Sequence, residues 1–179
     1  YNGHPDFIDL APDLESSNVC VVGNGNVAID IARLLVKTRD ELSPSDITNA
    51  ALEALLASSV TDVYMLGRRG PVEAKFTNVE LREMGKLENC VPQIVGTKIP
   101  DSVPEELDMS DRDRRLRERN LATLREFEPR LPDELEKRVH FQFYAAPREI
   151  IGGDSVEGIR LERTEVVDGR AVGTGEFFE

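Results

Sequence analysis

The stretch Asn18-Val19-Cys20-Val21-Val22-Gly23-Asn24-Gly25-Asn26-Val27-Ala28 decides the fold of this chain. Its first five residues form a valine-rich, nearly all-apolar run, the pattern of a strand buried on both faces of a parallel sheet. The run ends in Gly23-Asn24-Gly25 and passes almost without a loop into residues 27–36, where Ala28, Ile31, Ala32 and Leu35 recur at helical spacing. Gly23 to Ala28 fits G-x-G-x-x-A. The first glycine permits a tight turn, the second lets backbone approach a pyrophosphate, and the small sixth residue lets helix pack closely on strand. The helix start adds unpaired N–H groups and a partial positive charge, so the turn is suited to an anion. The blander use is a tight turn that binds nothing; a strand before it and an amphipathic helix after it favour the nucleotide.

Working outward, Ser43-Pro44 predicts the cap and first residue of a second helix over 44–58, with Ile47, Ala51 and Leu55 on one face. Asp62-Val63-Tyr64-Met65-Leu66 reads as the next buried strand. Thr77-x-x-Glu80 opens a helix to about residue 86, and 91–95 reads as a strand. Residues 100–111 are a Pro-rich, acidic loop. A charged helix over 110–127 turns Leu116, Leu121, Leu124 and Phe127 inward. Val139, Phe141 and Phe143 alternate with polar neighbours, the period of a half-buried strand. The tail, 156–163 then 165–172 around Asp168-Gly169, reads as a meander with a type I′ turn. The order predicts an α/β, Rossmann-like three-layer domain with a parallel sheet and an appended antiparallel β-meander. Residues 1–17 are a lead-in linker, and 18–179 the domain.

The second strand ends in Leu66-Gly67-Arg68-Arg69-Gly70-Pro71. An NAD site usually places an acid at this point to accept from the ribose 2′-hydroxyl. Two adjacent arginines suit a 2′-phosphate instead, because the guanidinium fork matches phosphate oxygens. Arg68 and Arg69 therefore point to NADP(H), held between Gly70-Pro71 and the strand.

The 179 residues suffice for one domain. With 22 Lys+Arg against 34 Asp+Glu the net charge is −12, which argues against binding nucleic acid with the whole surface. At 40% hydrophobic and 31% charged the chain is neither membrane-like nor disordered, and no apolar run approaches the ~20 residues that span a bilayer. Cys20 and Cys90 stand far apart without C-x-x-C, and Cys20 reads as a small buried hydrophobe. No catalytic triad, metal cluster or activated cysteine is apparent. The expectation is a soluble, cytoplasmic protein. Because the chain opens on Tyr1 and stops after Phe177-Phe178-Glu179, it also reads as a piece of a longer one.

Asn24-Gly25-Asn26-Val27-Ala28-Ile29-Asp30, then Gly67-Arg68-Arg69-Gly70-Pro71, then Phe76-Thr77-x-x-Glu80-Leu81-Arg82-Glu83-Met84 together resemble the NADPH-binding domain of adrenodoxin reductase-type ferredoxin–NADP reductases. Tyr1-Asn-Gly-His-Pro5 and Asp46-Ile47-Thr48 are similar to that family as well. The resemblance is dense over about the first 90 residues and thinner beyond. It implies a parent flavoprotein that passes hydride from NADPH to FAD and electrons on, singly, to a ferredoxin-like carrier. It further implies that Asn24, Asn26 and Val27 line the pyrophosphate, that Arg68 and Arg69 meet the 2′-phosphate, that Glu80 lies near the nicotinamide carboxamide, and that Arg82 faces the carrier. Read from the residues alone, Thr77-x-x-Glu80 is equally a capping box. Only one glycine fingerprint is present, so FAD belongs to the missing part and this piece is expected to bind NADP(H) without redox chemistry of its own.

A non-enzymatic alternative is an NADP(H)-sensing or Rossmann-like interaction module. Within the enzyme class, the small subunit of glutamate synthase shares the two-nucleotide plan. Arg112, Arg114, Arg115, Arg117 and Arg119 form either a docking surface for an acidic partner or a solvated helix face with an Asp113–Arg117 pair, solvation being the commoner use.

Overall fold

A computed structural model describes residues 4–7, 10 and 12–179. Residues 1–3, 8, 9 and 11 of the expected lead-in, with the start of the Tyr1–Pro5 motif, lie outside the described residues. From residue 12 the lead-in runs without regular structure, and the Leu14 carbonyl accepts the Ser59 N–H at 2.9 Å.

Strand β1 (Asn18–Val22) leads into helix α1 (Asn26–Val36), then short helices α2 (Arg39–Leu42) and α3 (Asn49–Leu56), and strand β2 (Asp62–Leu66). Helix α4 (Asn78–Met84), strand β3 (Cys90–Val95), helix α5 (Asp111–Arg125) and strand β4 (Lys137–Gln142) follow. The chain closes with β5 (Ala145–Gly152), β6 (Val156–Val167) and β7 (Arg170–Phe178). The first four strands form one parallel sheet in the order β1-β2-β4-β3, and the last three an antiparallel sheet.

One face of the parallel sheet presents Val63, Met65, Val139 and Phe141, all fully buried against Ile29 and Ala32 of α1, Leu81 and Met84 of α4, and Leu121 and Leu124 of α5. Phe141 sits at the centre, with Phe76 edge-on at 6.3 Å and Phe127 at 5.9 Å between ring centroids. Since alternate residues of a strand face opposite ways, Tyr64 and Leu66 lie on the other face. There they join a smaller apolar cluster with Ala145, Leu161, Ile159 and Phe178 of the antiparallel sheet. Helices, parallel sheet and meander thus make three layers, as the pattern predicts. Asp168 and Gly169, at φ 49° and 73°, turn the β6–β7 hairpin, as I′ geometry requires.

Four local readings are corrected. The valine run is not buried on both faces: β1 is the sheet edge among the described residues, Val22 is 63% exposed and Cys20 is exposed rather than buried. Ile31 faces out and Ile29 takes its place in the core. The single helix over 44–58 is instead two. Thr38 caps α2, accepting from the Glu41 N–H at 3.3 Å while Glu41 accepts the Thr38 N–H at 2.9 Å. Thr48 caps α3, accepting from Ala51 at 3.3 Å. Ser43-Pro44-Ser45 is spent on the turn out of α2, with both serine hydroxyls donating back to Arg39 and Leu42 carbonyls. On α5, Asp113 bonds the Ser110 cap and no Asp113–Arg117 pair forms among the described residues.

Candidate nucleotide site

Gly23 takes φ 142°, a value that side-chain-bearing residues rarely adopt, and its N–H donates to the Leu66 carbonyl at 2.9 Å. Gly25 is the N-cap of α1, and a Cβ placed on it would meet nothing within 4 Å. The space above it is therefore open to a ligand. The first bond of α1 runs from the Ile29 N–H to the Gly25 carbonyl at 3.1 Å, so the N–H groups of Asn26, Val27 and Ala28 precede the helical ladder. Ala28 is 6% exposed and would lie 3.8 Å from a Cβ at Gly23, the close helix–strand packing that its size permits.

Asn24 reaches across to the end of β2. A Cβ on Gly67 would fall 1.7 Å from Asn24 Nδ2, so Gly67 is glycine for Asn24's sake. Asn24 Oδ1 is buried and lacks a hydrogen-bond partner.

The arginine loop is held by its backbone. The Gly67 N–H donates to the Gln142 carbonyl at 2.8 Å, and the Gly67 carbonyl accepts from Ala145 at 3.0 Å. Thr164 of β6 donates its hydroxyl to the Arg68 carbonyl at 2.7 Å. The Arg69 carbonyl accepts from the Tyr144 N–H at 3.3 Å, and the Gly70 N–H donates to Glu73 Oε2 at 3.1 Å. Tyr144, at φ 55°, lays its ring against Gly70, where a Cβ would lie 2.1 Å from the phenol oxygen. The meander thus fixes the loop, while the guanidinium groups of Arg68 and Arg69 make no hydrogen bond or ion pair among the described residues. With the glycine turn they line a cavity of about 540 Å³, a usual size for a ligand site.

The start of α4 abuts the same turn. Thr77 donates its N–H to Asn26 Oδ1 at 2.7 Å, and Asn120 of α5 donates to the Phe76 carbonyl at 2.9 Å. Asn78 is in turn anchored on the Arg119 carbonyl, Asn120 and Thr123. The capping box is not formed: Thr77 makes no side-chain cap bond, and its N–H is given to Asn26, 51 positions away. Glu80 Oε2 is left buried without a partner, an unusual cost unless a ligand donates to it. Asn26 acts here as a strut through its Oδ1. Val27 is 73% exposed at the helix start.

Two cations of the cavity wall escaped the sequence reading, Lys75 and Arg148. Arg148 is neutralised by Glu162, its Nε 2.5 Å from Oε2. No local motif marks either residue; the crossing of segments 73–77 and 145–148 over the glycine turn brings them in. The arginines of α5 divide. Arg114 clamps the Val103, Pro104, Glu105 and Leu107 carbonyls, whereas Arg112, Arg115 and Arg119 are exposed. Arg82 is exposed on α4. Among the described residues no cluster of His, Cys, Asp or Glu could hold a metal, and no helix is long and apolar enough to cross a membrane.

A glycine turn with no side chain over it, a free helix start and, at the next strand end, two arginines uncompensated among the described residues are the features of a Rossmann-type dinucleotide-binding domain. The sequence is 39% identical over 191 residues to an NADPH:adrenodoxin oxidoreductase of Arabidopsis thaliana, a match taking in 99% of this chain and 39% of that protein. It is 39% identical over 172 residues to the NADPH-ferredoxin reductase FprA of Mycobacterium tuberculosis, 93% of this chain and 36% of that protein. The solved structure of Mycobacterium tuberculosis FprA in complex with NADPH shares the fold with a TM-score of 0.86 at 37% identity, over 99% of this chain and 40% of that one. No family model matches. The chain is thus similar, as one domain, to the adrenodoxin reductase-type NADPH–ferredoxin reductases, and spans less than half the length of these relatives.

Proposed function

We propose that residues 18–179, with 1–17 as a linker, form the NADP(H)-binding domain of an FAD-containing reductase that delivers electrons to a ferredoxin-like carrier. The observation that carries this reading is the pair of unpaired guanidiniums on the cavity wall, with an unmet carboxylate oxygen on the adjoining helix α4. Among the described residues the Arg68 and Arg69 guanidiniums lack counter-ions, and Glu80 Oε2 lacks a donor. A dinucleotide with a 2′-phosphate and a carboxamide supplies both kinds of partner. Arg68 and Arg69 bind the 2′-phosphate, Asn24 Nδ2 and the N–H groups of residues 26–28 donate to the pyrophosphate, and Glu80 accepts from the carboxamide. When bound, the nicotinamide supplies hydride chemistry to a flavin. The residues of this domain bind and orient; none of them takes part in bond making.

The apolar side chains exposed around the glycine turn, Val22, Val27 and Ile31, and the open edge of β1 are where we place the FAD domain. Arg82, with Arg112, Arg115 and Arg119 on the neighbouring helix, faces the acidic carrier, whose association would slow as salt rises. A cytoplasmic location fits two unpaired cysteines. The direct test is to express the protein with its flanking sequence. Bound flavin and NADPH-dependent reduction of a ferredoxin are expected, with neither from the 179-residue chain alone. Flavin absorbance in the chain alone would refute the division of labour.

A further inference from the structure

We propose that Lys75 is a further phosphate ligand, and that its ammonium answers the pyrophosphate rather than the 2′-phosphate; this rests on the cofactor reading above. Lys75 lies beside the second glycine of the turn. Gly25 and Lys75 are partners in an isolated parallel bridge, and the Lys75 N–H donates to the Asn24 carbonyl at 3.0 Å. The backbone on either side is immobilised. Phe76 is 1% exposed in the main core, Val72 is 5% exposed, and the Thr77 N–H is bonded to Asn26. The side chain, in contrast, is exposed, lines the cavity and makes no hydrogen bond or ion pair among the described residues, in a chain of net charge −12.

An exposed lysine is ordinarily just solvated. Here three features say otherwise. Its Cα is anchored beside Gly25, where nothing would obstruct even a Cβ, so anion and ammonium share one open space. The one carboxylate on the cavity wall, Glu73, is occupied by the Gly70 N–H. The other non-loop cation of the wall, Arg148, is already paired with Glu162, which leaves Lys75 as the non-loop cation of the wall without a partner among the described residues. Arg68 and Arg69, by contrast, hang from the end of β2. The pocket therefore separates two duties: the arginines read the 2′-phosphate, and the lysine, a mobile point charge on a long stem, neutralises the diphosphate common to NADP and NAD.

The test is calorimetric titration of the full chain with NADP+, and of NAD+ and adenosine 2′-monophosphate by competition against it, for wild type, Lys75→Ala, Lys75→Arg and the Arg68→Ala/Arg69→Ala double variant. Circular dichroism melts accompany each, and Lys75→Ala should melt as wild type because only backbone bonds involve residue 75. Lys75→Ala is expected to bind both dinucleotides about tenfold more weakly, the loss of one exposed charge-assisted contact, and 2′-monophosphate within about twofold of wild type. Lys75→Arg should restore most of the loss. Two results would overturn the assignment: dinucleotide affinities unchanged in Lys75→Ala, or a loss confined to NADP+ and the 2′-monophosphate. Failure of folded wild type to bind NADP+ at all would instead overturn the cofactor reading itself.

Discussion

Replacing Thr164 by valine tests whether the meander positions the arginine loop. The two side chains are nearly isosteric, and the Thr164 N–H bond to the Tyr144 carbonyl, 2.9 Å long, survives. Only the hydroxyl bond to the Arg68 carbonyl, at 2.7 Å, is lost, at a residue 5% exposed. An acceptor left without its donor costs about 1–3 kcal/mol when fully buried. Arg68 is exposed, so water can reach its carbonyl and the lower end, about 1 kcal/mol, is expected in urea unfolding. The same loosening should weaken NADP+ binding by about three- to tenfold, since roughly 1.4 kcal/mol corresponds to a factor of ten. NAD+, which lacks the 2′-phosphate, should change by less than about twofold. Thr174→Val is the control. It removes an analogous hydroxyl bond, to the Arg163 carbonyl at 2.9 Å, together with the bond accepted from the Glu176 N–H at 3.3 Å, at an exposed position outside the cavity wall where water replaces both, and should shift stability by less than about 0.5 kcal/mol. Unchanged selectivity in Thr164→Val, or equal effects at both positions, would refute the idea that β6 holds the loop.

Glycines 67 and 70 separate binding from folding. Gly67→Ala meets only the movable tip of Asn24, so it should fold with little loss, about 1 kcal/mol or less, yet weaken nucleotide binding; Gly70→Ala meets the Tyr144 ring and should cost about 1–3 kcal/mol in a urea melt. Glu80→Ala removes a buried carboxylate oxygen that has no partner among the described residues, so stability in urea unfolding should stay the same or rise by about 1 kcal/mol, whereas a functioning capping box would lose about 1. Asp62 accepts from Arg138 Nε at 2.5 Å, from an Arg138 terminal nitrogen at 2.6 Å and from Thr61 at 2.8 Å, with His140 Nε2 2.8 Å away. The bonded Arg138 guanidinium, helped by His140 and Thr61, holds its carboxyl well below the usual range despite partial burial. A lowered folded-state value means that the stabilisation is complete above the unfolded value of about 4 and is lost as pH falls below it. Asp62→Asn should therefore cost about 2–3 kcal/mol at pH 7, discounted for the partly exposed Arg138, and the gap to wild type should close as pH drops below about 4.

What was legible in the sequence was what is local. The β1–turn–α1 unit needs only neighbouring residues, and so does the Arg68-Arg69 pair between Gly67 and Gly70. The Asp168-Gly169 hairpin is equally local. The failures come from competing partners, some distant in sequence and some only a turn away. Thr77-x-x-Glu80 has the spacing of a box, but Asn26 takes the Thr77 N–H and leaves Glu80 unmet. Ser43-Pro44 has the form of a helix start, yet Thr38 and Thr48 cap the helices that form. Valine content marks β1 as a strand and says nothing of its place in the sheet. Edge position follows from β3 and β4 both lying on the far side of β2 rather than beside β1, which no local pattern encodes. Lys75 is near Gly25 for the same reason.

The central claim is that the arginine pair makes this a 2′-phosphate-reading site. Titration of the 179-residue chain with NADP+ and NAD+, with and without Arg68→Ala/Arg69→Ala, tests it most directly. NADP+ should bind at least about tenfold more tightly than NAD+, and the double substitution should erase the difference while leaving NAD+ binding in place. Equal affinities in wild type, or a preference that survives the loss of both arginines, would contradict it.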